Sequence, residues 1–510
     1  MNKFMTALTE ENSFTRTENG AITRTTTQSS LLDLFALGGA YRNRSDEDCI
    51  FLFKKAFDEN PVYAMKCLFY QRDVRGGQGE RRFFRVITKW LANNHTEVMR
   101  RNLEFVPEYG RYDDLYTFVG TKLERDAFAI IRKQLELDVQ CKAPSLLAKW
   151  LKSENASSRE TAWLGNKTRQ YLGMSHRQYR KTLSILRERI RVLERLMSAN
   201  RWDEIEFDKI PSKAGLVYKN AFARRDIIKE KYKAFAEDKT TKVNAKALYP
   251  FDVTKQAMAF GDWGYYYGNN NKSHALNDTE RLMVNKYWEN LENVFKDYSY
   301  NGICICDVSG SMYGDPMAVA ISIAMYCAEH NKGDFANHFF TFSDSPTFVE
   351  IEGIDFVDKV NRIAKADWGG STNIEAVFDM MLHIAQKNHL SQDDIPQGVI
   401  CVTDMEFNDC ACGGPAKASS NRWWSHNDTP MNETLFETIE KRWSEAGYRL
   451  PMLTFWNVNA RNDRVAMRKE GHVNFVSGMS PNIFTQVMKG KDAVSLMMDT
   501  LNAERYAVIE

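Results

Sequence analysis

From Gly302 onward the sequence alternates short apolar runs with helical stretches, and two of the apolar runs end on an aspartate. Ile303-Cys304-Ile305-Cys306 leads into Asp307, and the run 399–403 leads into Asp404. Further runs at 335–342, 450–456 and 473–476 are separated by helical stretches at 317–328, 373–387 and 433–446. An apolar run with no polar alternation must be buried on both faces, as a parallel strand covered by helices is. The pattern therefore predicts a doubly wound α/β sheet over residues 296–510. Ligand-binding crevices of such sheets lie at the carboxyl ends of the strands, where Asp307 and Asp404 both fall. Asp315-Pro316 predicts an N-cap followed by the first helical residue.

Residues 31–260 read differently. Phe83, Ile87, Trp90 and Leu91 recur at helical spacing, as do Leu183, Leu186, Ile190 and Leu193. Breaks such as Arg75-Gly76-Gly77-Gln78-Gly79 and Ile210-Pro211-Ser212 keep the helices short. Many short helices without a sharp period predict an α-helical repeat-like domain. Before it, residues 1–30 are polar and Thr-rich and read as a tail. Between it and the α/β domain, residues 261–295 read as a Gly- and Asn-rich linker with a connecting helix.

A chain of 510 residues with 43% hydrophobic and 26% charged residues is an ordinary multidomain globular composition. It has no apolar run of bilayer length and no signal-peptide core, so a cytoplasmic protein without a membrane partner is expected. Nine cysteines without regular spacing do not describe a disulfide framework. Cys410, Cys412 and His426 are too few and too poorly spaced for a structural zinc site.

The strand ends carry chemistry. Asp307-Val308-Ser309-Gly310-Ser311-Met312, then Gly370-Ser371-Thr372, then Val402-Thr403-Asp404 offer two carboxylates and three hydroxyls. Oxygen donors of this kind suit a hard divalent cation, Mg²⁺ or alternatively Mn²⁺ or Ca²⁺. Ser309, Ser311 and Thr372 would donate hydroxyl oxygens, while Asp307 and Asp404 supply charge directly or through water. With so few charged ligands the cation stays electrophilic and has room for a carboxylate from an acidic protein partner. Catalysis fits less well. An aspartyl phosphatase would want a second acid where Ser309 stands, and neither serine has the Gly-x-Ser-x-Gly surround of a hydrolase. A non-enzymatic protein is expected.

The net charge of +1 conceals a basic block. Residues 141–240 hold 23 Lys and Arg against 12 Asp and Glu, so the rest of the chain is acidic. Within 167–201, ten basic residues face two acids. Lys167, Arg169, Arg177, Arg180, Lys181, Arg187, Arg191 and Arg195 are the candidates for phosphate contact. Arg187, Arg191 and Arg195, four apart, are expected along one helix face, with Tyr171, Tyr179 and Trp202 near enough to stack on bases. A solvated or acid-paired face is the competing reading. The loop at 75–82 is either a backbone phosphate cradle or a tight interhelical turn; it lacks the Gly-Lys-Ser/Thr ending of a P-loop.

Beyond these readings, the Asp307–Met312 stretch resembles a von Willebrand factor A domain with a metal-ion-dependent adhesion site. Several phrases resemble the family named domain of unknown function 2828. They include Phe342-Ser343-Asp344-Ser345-Pro346, Trp368-Gly369-Gly370-Ser371-Thr372-Asn373, Thr403-Asp404-Met405-Glu406-Phe407 and Phe455-Trp456-Asn457. In the amino-terminal half they include Phe69-Tyr70-Gln71-Arg72-Asp73-Val74-Arg75-Gly76-Gly77-Gln78-Gly79 and Val106-Pro107-Glu108-Tyr109-Gly110-Arg111-Tyr112-Asp113-Asp114-Leu115. The resemblance runs from about Ser30 to the end and is weakest over 410–430. That family is similar in architecture to the Ro (TROVE) proteins, which join helical repeats to an A domain and bind small structured RNAs. The resemblance thus implies a ribonucleoprotein that holds structured or single-stranded RNA. A metal-dependent protein-interaction scaffold without RNA is the alternative.

Overall fold

The computed structural model describes residues 13–245, 248–258, 276–296, 301–342, 346–363, 372–408, 434–465, 473–480, 482–488 and 490–510. Two compact units are interleaved along the chain. One takes residues 1–67, 248–277 and 291–503; the other takes 68–247, 278–290 and 504–510. These units do not run consecutively, unlike the expected division 1–30, 31–260, 261–295 and 296–510. The physical reasons are local. In the helix Ser30–Leu37 every residue from Leu31 to Leu37 is buried, and such a helix needs apolar partners on most sides. It finds them on the sheet and on the helix Ala493–Leu501. At the other end, Arg505 and Tyr506 both bond the fully buried carboxylate of Asp73, which places the last residues in the helical unit.

The first unit is built on six strands: β3 (Gly302–Asp307), β4 (His338–Phe342), β5 (Thr347–Glu350), β6 (Gly398–Thr403), β7 (Met452–Asn457) and β8 (Val473–Ser477). Their order is β5-β4-β3-β6-β7-β8, parallel throughout except β5, which runs antiparallel to β4 at the edge. The α/β expectation holds, and β5 is an addition to it. Its Thr347-Phe348-Val349-Glu350 buries Val349 alone, as an edge strand with one covered face does. All residues of β3 and β6 are buried. After β3 the chain goes first to β4 and β5 on one side and then to β6 on the other. The carboxyl ends of β3 and β6 therefore flank the topological switch point, the usual ligand crevice of an open α/β sheet.

The helix Asp315–His330 lies between that sheet and the helix Pro250–Met258, so Met317–Ala328 is buried all round. Its N-cap is Gly314 rather than Asp315. Gly314 has φ +90°, a conformation open to glycine at no steric cost, and it turns the chain from the loop after β3 into the helix. Asp315 sits in the first turn, 2.5 Å from the Lys255 ammonium. An additional antiparallel hairpin, β1 (Phe14–Arg16) with β2 (Ile22–Arg24), occupies what read as a polar tail.

The second unit is helical, with no strand among its described residues. Phe83, Ile87 and Leu91 line the inner face of the helix Arg82–Asn94, and Trp90 is half-buried. The glycine-rich loop resolves as a tight turn. Its amides are committed to the helix before it: Gln78 N–H donates to Tyr70 O, Gly79 N–H to Asp73 O and Glu80 N–H to Gln71 O. A Cβ on Gly77 would fall 2.0 Å from Tyr70 O, so the close approach itself demands glycine. No helix of the described residues is long and apolar enough to cross a membrane.

Candidate metal centre and basic surface

Asp307 ends β3 with its carboxylate fully buried. One oxygen accepts from the Ser309 amide at 3.0 Å; the other accepts from the Thr403 hydroxyl at 2.7 Å. Thr403 ends the neighbouring strand β6, so the parallel pairing of β3 with β6 delivers it. Its hydroxyl also accepts from the Met405 amide at 3.0 Å. Ser309 and Ser311 hydroxyl oxygens lie 3.0 Å apart. Asp404, 1% exposed, accepts from the Glu406 amide on Oδ1, while its Oδ2 is buried without a hydrogen-bond partner. Met405 takes a positive φ of 70°, turning the chain sharply after the aspartate.

Two carboxylates this close and this dry resist joint ionisation. Burial, and after it the Asp307 charge, push the Asp404 carboxyl up to about 7, with the Ser311 hydroxyl pulling it back. Asp307 is raised as well, by burial, against the donors from Ser309 and Thr403. A divalent cation between them would supply the missing counter-charge and occupy the orphaned Oδ2. The donors fit a hard ion: carboxylate and hydroxyl oxygens, with Ser311 half-buried and Gly310 exposed at the solvent side. Among the described residues no group of three or more His, Cys, Asp or Glu is placed to hold a metal, so a cation here would depend on the hydroxyl oxygens as well.

Thr372 makes its hydrogen bonds outside that cluster. Its hydroxyl oxygen lies 2.7 Å from Asn408 Oδ1 and 2.9 Å from Glu406 O, two acceptors for one proton, and it accepts from Asn19 Nδ2 at 2.9 Å. It is thus tied to the loop that follows Asp404. Glu406, 1% exposed, completes this layer. Its carboxylate pairs with Arg464 and accepts from Asn462 Nδ2 at 2.8 Å and from the Glu18 amide at 2.7 Å. Sequence reasoning singled out neither Thr403, Glu406 nor Asn19 as site residues. The first two lie in the Thr403–Phe407 phrase; Asn19 gives no local signal.

The basic candidates do not form one stripe. The helix His176–Arg189 ends before Arg191, which takes a left-handed φ of 49°, and Leu193–Ser198 is a separate helix. Val192 N–H bonds to Arg187 O and Arg191 N–H to Glu188 O, a helix-terminating pattern that breaks the expected row. Arg187 is spent on Ala148 O, Leu151 O and the Ser153 hydroxyl, at 2.8–2.9 Å. Lys167 pairs with Glu124, Arg169 and Arg180 with Glu154, Arg191 with Glu206, and Arg195 with Glu188. Arg177 and Lys181 are exposed and pair with no described acid. The aromatic expectation is corrected too. Tyr179 and Trp202 are buried in the core, and Tyr171 stacks on Phe128 at 4.2 Å. A groove of about 660 Å³ remains, lined by Arg187, Arg191, Arg195, Arg201 and Lys209 together with three glutamates. Cys410, Cys412, His426, the loop 261–274 and Gly370-Ser371 lie outside the described residues.

Comparison with known proteins adds the following. The model of Domain of unknown function (DUF2828) matches residues 17–127 and 135–299, and that of Domain of unknown function (DUF7788) matches 301–506. The α/β half thus matches a model of its own rather than an extension of the first. Uncharacterized protein L728 of Acanthamoeba polyphaga mimivirus is 29% identical over 521 residues, covering 93% of this chain and 85% of that protein. Among solved structures, the Ro (RSR) protein of Deinococcus radiodurans aligns at a TM-score of 0.45 with 12% identity, over 91% of this chain and 100% of that one.

Proposed function

The chain belongs to the DUF2828 family, and we propose that its α/β unit is a non-catalytic, cation-dependent protein-binding module. The orphaned Oδ2 of Asp404, buried beside Asp307 at the switch point, carries this reading. Asp307, Ser309, Ser311 and Asp404 would hold Mg²⁺ or Mn²⁺, with Thr372 joining directly or through water. A carboxylate of an acidic partner would complete the shell from the side of Gly310 and Ser311. The Ser309 and Ser311 hydroxyls lie 3.0 Å from each other, Ser309 beside Asp307 and Ser311 beside Asp404, and among the described residues neither bonds an imidazole, which favours binding over nucleophilic catalysis.

The test is Mn²⁺ binding followed by electron paramagnetic resonance on the full chain. One site in the wild type that is lost in Ser311→Ala and Asp404→Asn supports the reading. Unchanged binding in both variants refutes it.

RNA binding by the helical unit is a second reading, favoured by the groove beside Arg191 and Arg201 and by exposed Arg177 and Lys181. It requires affinity for RNA to fall with salt, with a log–log slope of about 0.7–0.9 per phosphate contact. Salt-independent binding would remove it.

A further inference from the structure

The amino-terminal hairpin docks on the segment that carries the metal-site residues. On one side β2 bonds Val465: Arg24 N–H donates to Val465 O, Val465 N–H donates to Arg24 O, and the Thr23 hydroxyl adds a bond to Val465 O at 2.8 Å. The tip then reaches the loop after β6. The Thr17 hydroxyl and the Ala21 amide both donate to Phe407 O, and Gly20 bridges to Asn408. Glu18 N–H donates to the Glu406 carboxylate, and Asn19 Nδ2 donates to Glu406 O at 2.7 Å and to Thr372 Oγ1 at 2.9 Å. Thr17, Ala21, Thr23 and Arg24 are buried by this docking surface, whereas Glu18 and Asn19 stay exposed and direct only their polar groups inward.

The bonding of Thr372 is informative. A hydroxyl has one proton and two lone pairs. Asn408 Oδ1 and Glu406 O compete for the proton, and Asn19 takes one lone pair. With Cβ and three neighbours around the oxygen, the remaining lone pair faces whichever acceptor does not receive the proton, and the hydroxyl is held in one orientation. A cation would take that lone pair by displacing this acceptor, while the Asn19 bond keeps the hydroxyl oxygen in place. The same tip also steadies Glu406, two residues beyond Asp404.

Resting on the metal reading above, we propose that the hairpin tip is a structural part of the cation site and that Asn19 is a positioning residue acting through Thr372. Outer partners that orient metal ligands typically contribute 10–100-fold in metal affinity. Asn19→Ala is therefore expected to weaken Mn²⁺ binding about tenfold while leaving the melting temperature of the metal-free protein within a degree or two. Lys142→Ala, at an exposed position in the helical unit, is expected to bind Mn²⁺ as the wild type does.

Linkage is reciprocal, which gives a readout that a merely structural role would not move. If the docked tip raises cation affinity about tenfold, bound cation must raise tip docking by the same factor. Saturating Mn²⁺ should then slow hydrogen exchange at the Glu18 and Ala21 amides in the full-length wild type, and not in Asp404→Asn. A wild type that binds no Mn²⁺ would overturn the metal reading itself. A wild type that binds, with Asn19→Ala equal to it or tighter and the tip amides indifferent to Mn²⁺, would overturn this inference alone.

Discussion

At the scale of single residues, burial decides which charged groups are available. Asp33 shows how this enters stability. Its carboxyl sits in the helix Ser30–Leu37, accepting from the Thr26 and Thr27 hydroxyls and the Thr27 amide. Burial pushes it up to about 6, against these donors and the charge of Lys55. A carboxyl with a raised folded pKa binds more protons folded than unfolded, so its contribution is complete below about pH 4 and is lost as pH rises through about 6. Asp33→Asn should therefore flatten the decline in melting temperature between pH 4 and 6 relative to the wild type; an unchanged pH profile would contradict this. Arg187 makes a second case. Its three bonds to Ala148 O, Leu151 O and Ser153 make it a structural group. Arg187→Ala should destabilise the helical unit by about 1–3 kcal/mol in denaturant unfolding. The exposed pair Arg177→Ala/Lys181→Ala should leave stability unchanged and is the better probe of any RNA contact.

At the scale of elements, the helix Asp315–His330 is the mechanical floor of the proposed cation site, since it follows the Ser309–Ser311 loop. It is buried against β3, β4 and β6 on one side and Pro250–Met258 on the other. Ile321→Ala should cost about 2–5 kcal/mol, the range for emptying a core position, and be visible as a lower denaturant midpoint. Continuous apolar runs made β3, β6, β7 and β8 legible in the sequence, and the aspartates ending β3 and β6 located the crevice. The edge strand β5 was not legible because only Val349 faces the core. Nor was the hairpin, whose Thr-rich strands are three residues each and are held by partners about 390–440 positions away. The basic row failed for a related reason. Four-residue spacing describes a helix face only if the helix continues, and here it stops at Arg189 to satisfy its own last carbonyls.

For the whole molecule, the interleaving of the two units has a practical consequence. A fragment of residues 296–510 would contain the sheet and most of the cation site yet lack the hairpin and the helices Ser30–Leu37 and Pro250–Met258 that cover the sheet unit's interior. Such a fragment is expected to be poorly folded, with lost near-ultraviolet dichroism and exposed apolar surface; a cooperative transition equal to that of the full chain would contradict the interleaved description. The full chain is thus the right object for the decisive measurement, a titration with Mn²⁺ of the wild type and Asp404→Asn side by side. One saturable site in the wild type that disappears in the variant, with both proteins melting alike without metal, is the expected result. Equal binding in the two, or none in the wild type, would contradict the assignment of the switch-point crevice as a cation site.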